Sequence, residues 1–129
     1  ASENAVALGV NSDASENGVS IGNKAYVVND SGVAIGSNPV ATTNGVSIGY
    51  AAKQSGGTHA VAIGKSADVT GDSGVSIGLN SKAAAHSVGI GSTSQSTGNA
   101  SVSIGTRQEI SGLNSVGIGI RKNTKRKNA

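Results

Sequence analysis

The sequence predicts an all-β chain wound into a parallel β-solenoid of about nine coils, each of ~14 residues. Three observations lead there. The pattern small-Val-small-(Ile/Leu)-Gly occurs nine times, with Val at 6, 19, 33, 46, 61, 75, 88, 102 and 116, at steps of 13, 14, 13, 15, 14, 13, 14 and 14 residues. The 129 residues include 20 Gly, two Tyr and no Phe, Trp, Met or Cys, so too few large side chains are at hand to fill an ordinary globular core. Gly does not recur at every third residue, which excludes collagen, and the strict placing of Val and Ile disfavours disorder.

Val and Ile two apart share one side of a strand and diverge on a helix, so each motif is a strand. A Gly closes every copy, and Gly22, Gly36, Gly49, Gly64, Gly78, Gly91 and Gly105 mark the turns of the central coils. Such a column suits a backbone with φ > 0 or without room for a Cβ. The fourth and sixth residues after the Ile or Leu are often small or aliphatic (Ser12 and Ala14, Ala25 and Val27, Ala67 and Val69, Ser81 and Ala83), which predicts a second, shorter strand. Two residues before each Val stand Asn4, Asn17, Ser31, Asn44, His59, Ser73, His86, Ala100 and Asn114, a slot rich in residues that bend and bond their own backbone, hence a second turn. Nine coils stacked at ~4.8 Å give a flattened roll about 40 Å long, with the odd steps absorbed in turns.

Inside this roll the sequence places Val19, Ile21, Val33, Ile35, Val46, Ile48, Val61, Ile63, Val75, Ile77, Val88, Ile90, Val102 and Ile104 as the core. The alternate face is charge-free and uniformly small, with Ala34, Ser47, Ala62, Ser76, Gly89 and Ser103 in its central column. It is expected to pack against another backbone in a homo-oligomer of closed cyclic symmetry, because a single narrow roll buries little apolar surface for the chain it orders. The outward positions of the second strand are polar and differ from coil to coil. Tyr26, Lys53, Asp68, Lys82 and Glu109, with Tyr50 in the adjoining turn, form the possible ligand face.

Charge divides the chain into repeats at 1–119 and a basic tail at 120–129, expected to be poorly ordered or to lead toward a neck or stalk. Arg121, Lys122, Lys125, Arg126 and Lys127 hold half of the ten basic residues, leaving residues 1–120 with five positive and seven negative charges, a net of −2. No aromatic residue accompanies the tail, so nucleic-acid binding is not expected. No Cys is present for disulfides, no apolar run of 18 residues occurs, and no basic-then-apolar leader opens the chain. A fragment of a larger protein is expected.

No chemistry-bearing motif survives comparison with the repeat. Gly64-Lys65-Ser66 looks like the end of a phosphate loop, but that loop needs Gly where this chain has His59. His59 and His86 occupy the same slot two coils apart, ~9.6 Å at strand spacing, too far to share a metal, so both read as turn residues. No acid pair recurs beside a nucleophile or base, so neither catalysis nor a cofactor is expected. Pro39 reads as structural. Thr is scattered through no constant slot, which argues against an ice- or crystal-binding lattice face.

The runs AVAIG, GVSIG and SVSIG, with Asn two residues before Val and a period near fourteen, closely resemble the head repeats of the trimeric autotransporter adhesins, the YadA-like head. The resemblance covers residues 1–119. It implies a left-handed parallel β-roll with three chains side by side, carried on a stalk at a bacterial cell surface and anchored in the outer membrane through regions outside this fragment. It also implies a non-catalytic adhesin head that binds host extracellular matrix such as collagen, fibronectin or laminin. The alternative is a structural spacer that raises another binding domain. The family's neck is missing, and Arg107-Gln108-Glu109-Ile110 only faintly echoes its opening.

Overall fold

A computed structural model describes residues 1–120, so the basic residues Arg121, Lys122, Lys125, Arg126 and Lys127 lie outside the described residues. The nine motif triplets form one parallel sheet: Val6–Leu8, Val19–Ile21, Val33–Ile35, Val46–Ile48, Val61–Ile63, Val75–Ile77, Val88–Ile90, Val102–Ile104 and Val116–Ile118. A second parallel sheet of seven two-residue strands faces it, made of Tyr26–Val27, Val40–Ala41, Lys53–Gln54, Asp68–Val69, Lys82–Ala83, Gln95–Ser96 and Glu109–Ile110. A bridge from Asp13 to Tyr26 extends it by one rung. The chain alternates between the two sheets, so it makes eight full turns and closes on a ninth triplet. Register is uniform. Val lies over Val, the middle residue over the middle residue, and Ile over Ile, from Val19↔Val33 to Ile104↔Ile118.

Two turns close each coil, and only one of them varies in length. Leu8 to Ala14, Ile48 to Gln54 and Ile104 to Ile110 are each six residues apart, so the turn after the triplet is constant. From Ala14 to Asn17 is three residues, whereas from Gln54 to His59 is five, so the uneven steps are absorbed in the turn that leads back to the triplet. The nine-membered slot of Asn4, Asn17, Ser31, Asn44, His59, Ser73, His86, Ala100 and Asn114 is left-handed throughout, with φ between 54° and 59°. Gly64 shows why the motif ends in Gly: its φ is +124°, and a Cβ there would stand 2.6 Å from the carbonyl oxygen of Gly78 in the next coil. Pro39 fits because the amide it lacks would only close its own turn, as the Ala67 amide does on the Gly64 carbonyl at 3.3 Å.

The interior is the reverse of the face assigned from the sequence. Val19, Ile21, Val33, Ile35, Val46, Ile48, Val61, Ile63, Val75, Ile77, Val88, Ile90, Val102 and Ile104 point outward and are half-exposed. Ala34, Ser47, Ala62, Ser76, Gly89 and Ser103, expected to meet a sister chain, are buried inside the coil. The reason is depth. The Ser20 hydroxyl donates at 2.6 Å to the main-chain carbonyl of Asp13 on the facing side, and Ser47 does the same to Val40 at 2.7 Å, so the gap is one serine deep. The backbone that packs on the small face is the chain's own. Elsewhere two hydroxyls meet across the gap, Ser76 with Ser81 and Ser96 with Ser101, each at 2.7 Å. These bonds satisfy the polar groups that burial would otherwise penalise. The inward positions expected on the return strands hold for Ala14, Ala25, Val27, Ala67, Val69, Ser81 and Ala83, which are buried, but Ser12 in the first coil is partly exposed.

In so thin a space, size is traded between slots. Where the return strand carries Val27, Gln54 or Val69, the residue before a triplet Val is Gly, and an added Cβ would meet Val27 Cγ1 at 3.0 Å from Gly18, the Gln54 amide from Gly45, and Val69 Cγ1 at 2.6 Å from Gly74. Gln54 is satisfied at both ends: its Oε1 accepts from the Thr42 amide and hydroxyl, and its Nε2 donates to Val46 and Ala60 carbonyls. Gln108 is not. It is fully buried, and neither amide atom has a hydrogen-bond partner among the described residues. Gln108→Met keeps its volume and removes the unpartnered amide, so the variant is expected to stabilise the chain by about 1–3 kcal/mol, read from the urea unfolding midpoint.

Candidate functional site

The cross-section gives the roll four surfaces: the wall of Val and Ile, the constant turn, the outer side of the return sheet, and the variable turn. On the return sheet, the register stacks Asp13, Tyr26, Val40, Lys53, Asp68, Lys82, Gln95 and Glu109 in one outward column. Five residues of the expected ligand face, Tyr26, Lys53, Asp68, Lys82 and Glu109, thus fall in a single line. Val40 and Gln95 belong to it as well, and were legible as the fifth residue after each triplet Ile. Lys53, Asp68 and Lys82 occupy successive rungs ~4.8 Å apart, so charge alternates along the line. The Ser55 hydroxyl donates to Asp68 Oδ1 at 2.7 Å and orients that carboxylate.

Tyr50 is not in this column. It stands in the constant turn, 55% exposed, with Lys65 Nζ 5.8 Å from its ring centre. Tyr26 is 42% exposed and faces solvent from the return sheet. The two aromatics flank one border of the roll, where a flat apolar ring beside a cation offers a contact to a partner of mixed polarity.

The histidines keep to the turn. His59 and His86 have φ of 58° and 55°, the geometry of the Asn residues in the same slot. His59 Nε2 lies 3.3 Å from Asn44 Nδ2 one coil away, and its Nδ1 lies 2.9 Å from the Thr58 hydroxyl. Among the described residues no group of three or more His, Asp and Glu is placed to hold a metal ion. In Gly64-Lys65-Ser66, the Gly stacks on the next coil, the Lys covers Tyr50 and the Ser is a left-handed turn residue. A second left-handed column runs along the constant turn: Asn11, Lys24, Asn38, Ala51, Ser66, Asn80, Thr93 and Arg107. Its mixed residues gave no signal in the sequence.

A family model described as the YadA head domain repeat matches residues 2–19, 15–38, 55–81 and 83–107. The chain belongs to the YadA head repeat family. The crystal structure of the collagen-binding domain of the Yersinia adhesin YadA is similar over 98% of this chain and 86% of that one, with a TM-score of 0.65 and 32% sequence identity. No curated protein sequence matches the chain. The YadA head repeats account for the triplet, the glycine turn and the left-handed slot together, since all three recur in each coil. Arg107-Gln108-Glu109-Ile110, the echo of a neck, is the constant turn and return strand of a further coil, with Glu109–Ile110 paired on Gln95–Ser96.

Proposed function

We propose that this YadA-type roll is the adhesive head of a bacterial surface adhesin, which associates as a homotrimer and binds host extracellular matrix. The observation that carries this reading is the likeness, over nearly the whole chain and at 32% identity, to a domain described as collagen-binding in the Yersinia adhesin. Assembly uses the outward wall of Val and Ile, an apolar face unbroken by charge on every rung. Solvent-facing strand positions ordinarily alternate to polar residues, and a long exposed apolar strip marks a contact with another protein. The return face, with its line of Tyr26, Lys53, Asp68, Lys82 and Glu109 and with Tyr50 beside it, then turns away from the axis of the assembly. Weak contacts there add up across copies by avidity.

Collagen, fibronectin and laminin are the ligands to present to the purified chain, immobilised and separately. Binding to at least one is expected, and Tyr26→Ala/Lys53→Ala is expected to weaken it about tenfold through loss of an aromatic anchor and a cation. A chain that binds none of the three would be a spacer and not a head. A variant that binds as well as the wild type would move the ligand contact off the return face.

A further inference from the structure

We infer that the two turn edges of the roll are complementary halves of one contact, the basic edge of one copy docking on the acidic edge of the next. The inference rests on the proposed assembly through the Val and Ile wall and adds what decides its direction. Charge is divided between the edges. The constant turn carries Lys24, Lys65 and Arg107 and no acid, whereas the variable turn carries Glu3, Glu16, Asp30 and Asp72, each immediately before the left-handed slot, and no Lys or Arg. All seven side chains are exposed. None of them forms an ion pair within the chain among the described residues, where the single such pair joins the N-terminal ammonium to Asp13. Lys65 covers Tyr50, and Asp72 Oδ1 accepts from the Thr58 amide.

The wall sets which edges can meet. When rolls lie side by side and parallel with their walls toward a common axis, the constant turn of each copy falls beside the variable turn of its neighbour, a heterologous contact that closes into a ring. Basic then faces acidic all round. An antiparallel pair about a two-fold axis across the rolls would instead set the basic edge against the basic edge and the acidic edge against the acidic edge. The edges therefore favour the parallel arrangement and penalise the other, a use of charge for orientation. Levels agree as well. Lys24 follows the second triplet, between the levels of Glu16 and Asp30, which precede the second and third triplets; Lys65 follows the fifth triplet, and Asp72 precedes the sixth. Copies in register thus bring Lys24 and Lys65 each to within about one coil, ~4.8 Å along the roll, of an acid on the neighbour, while Arg107 has no acid at its level.

The test uses the whole 129-residue chain and sedimentation across protein concentrations, with far-UV circular dichroism to confirm that each variant keeps its strands. Lys24→Glu/Lys65→Glu makes both edges acidic, and Glu16→Lys/Asp72→Lys makes both basic. Each is expected to raise the concentration needed for assembly at least about tenfold at low ionic strength, with the difference shrinking in high salt, where exposed charges are screened. The fourfold variant exchanges the signs of the two edges and is expected to recover assembly to within about threefold of wild type. One-edge variants that assemble like the wild type, or a fourfold variant that does not recover, would overturn the inference while leaving the wall contact standing. A wild-type chain that sediments as a monomer overturns the assembly itself, and this inference with it.

Discussion

Ala62→Glu is expected to cost the chain its strands. Ala62 is fully buried at the middle of the stack, in a cluster with Ala52, Ala60, Ala67, Val69 and Ala83. The facing backbone is one serine side chain away at the equivalent positions of Ser20 and Ser47, so a glutamate has neither the length to escape to water nor a donor to meet. A buried carboxylate without a partner costs on the order of several kcal/mol even after relaxation, against the ~5–15 kcal/mol that holds an ordinary domain together. The side chain is also too large for the gap, and overpacking adds to the penalty. Because each coil rests only on its neighbours, a break at the middle rung separates two short stacks that are individually weak. Loss of the β signal in far-UV circular dichroism and collapse of amide protection from coil to coil would report it. Ala62→Ser is the matching control and is expected to be close to neutral, since Ser20, Ser47, Ser76 and Ser103 fill the same slot. A cooperatively folded Ala62→Glu chain would put this residue on the outside.

The same face shows what could be read in the sequence and what could not. Strand and turn positions were legible because they follow local rules: Val-x-Ile alternation names residues that share a side, and the glycine column, left-handed from Gly9 to Gly119, can be occupied by little else. The slot before each triplet was legible for the same reason, and even Ala100 in it has φ of 56°. Alternation does not say which side is inside. The rule that branched apolar residues are buried assumes a core wide enough for them, and here the Ser20 bond to the Asp13 carbonyl shows that it is not. One sign of this was present in the sequence. Gly18, Gly45 and Gly74 accompany Val27, Gln54 and Val69, a compensation of volume that only residues sharing one thin space require. The outward column of the return sheet was legible, because the offset from the triplet fixed Tyr26, Lys53, Asp68, Lys82 and Glu109, and Tyr50 stands in the adjoining turn as the same offset expects.

Ile63→Lys/Ile77→Lys is expected to leave the roll folded and to abolish its assembly. The two residues are register partners on adjacent rungs, half-exposed in the single chain, so their side chains reach water in the monomer without entering the interior. Each change removes apolar area that burial against a sister copy would stabilise at ~25 cal/mol per Å², and places an ammonium where the only neighbours in an assembly are other Val and Ile side chains. Two such charges ~4.8 Å apart, repeated on every copy round the axis, leave no arrangement in which all of them stay hydrated. Assembly is expected to weaken by a factor of at least about 1,000, some 4 kcal/mol. The strand signal in far-UV circular dichroism is expected to persist, with a sedimenting mass of one chain. An assembled Lys variant would take the contact off this wall and return the question to the other three surfaces. Residue 62 and residue 63 are adjacent in the chain and face opposite ways across one strand, so a charge at the first is expected to destroy the coil and a charge at the second only to separate one copy of the chain from another; the wide interior that Val and Ile suggest predicts the opposite pair of results.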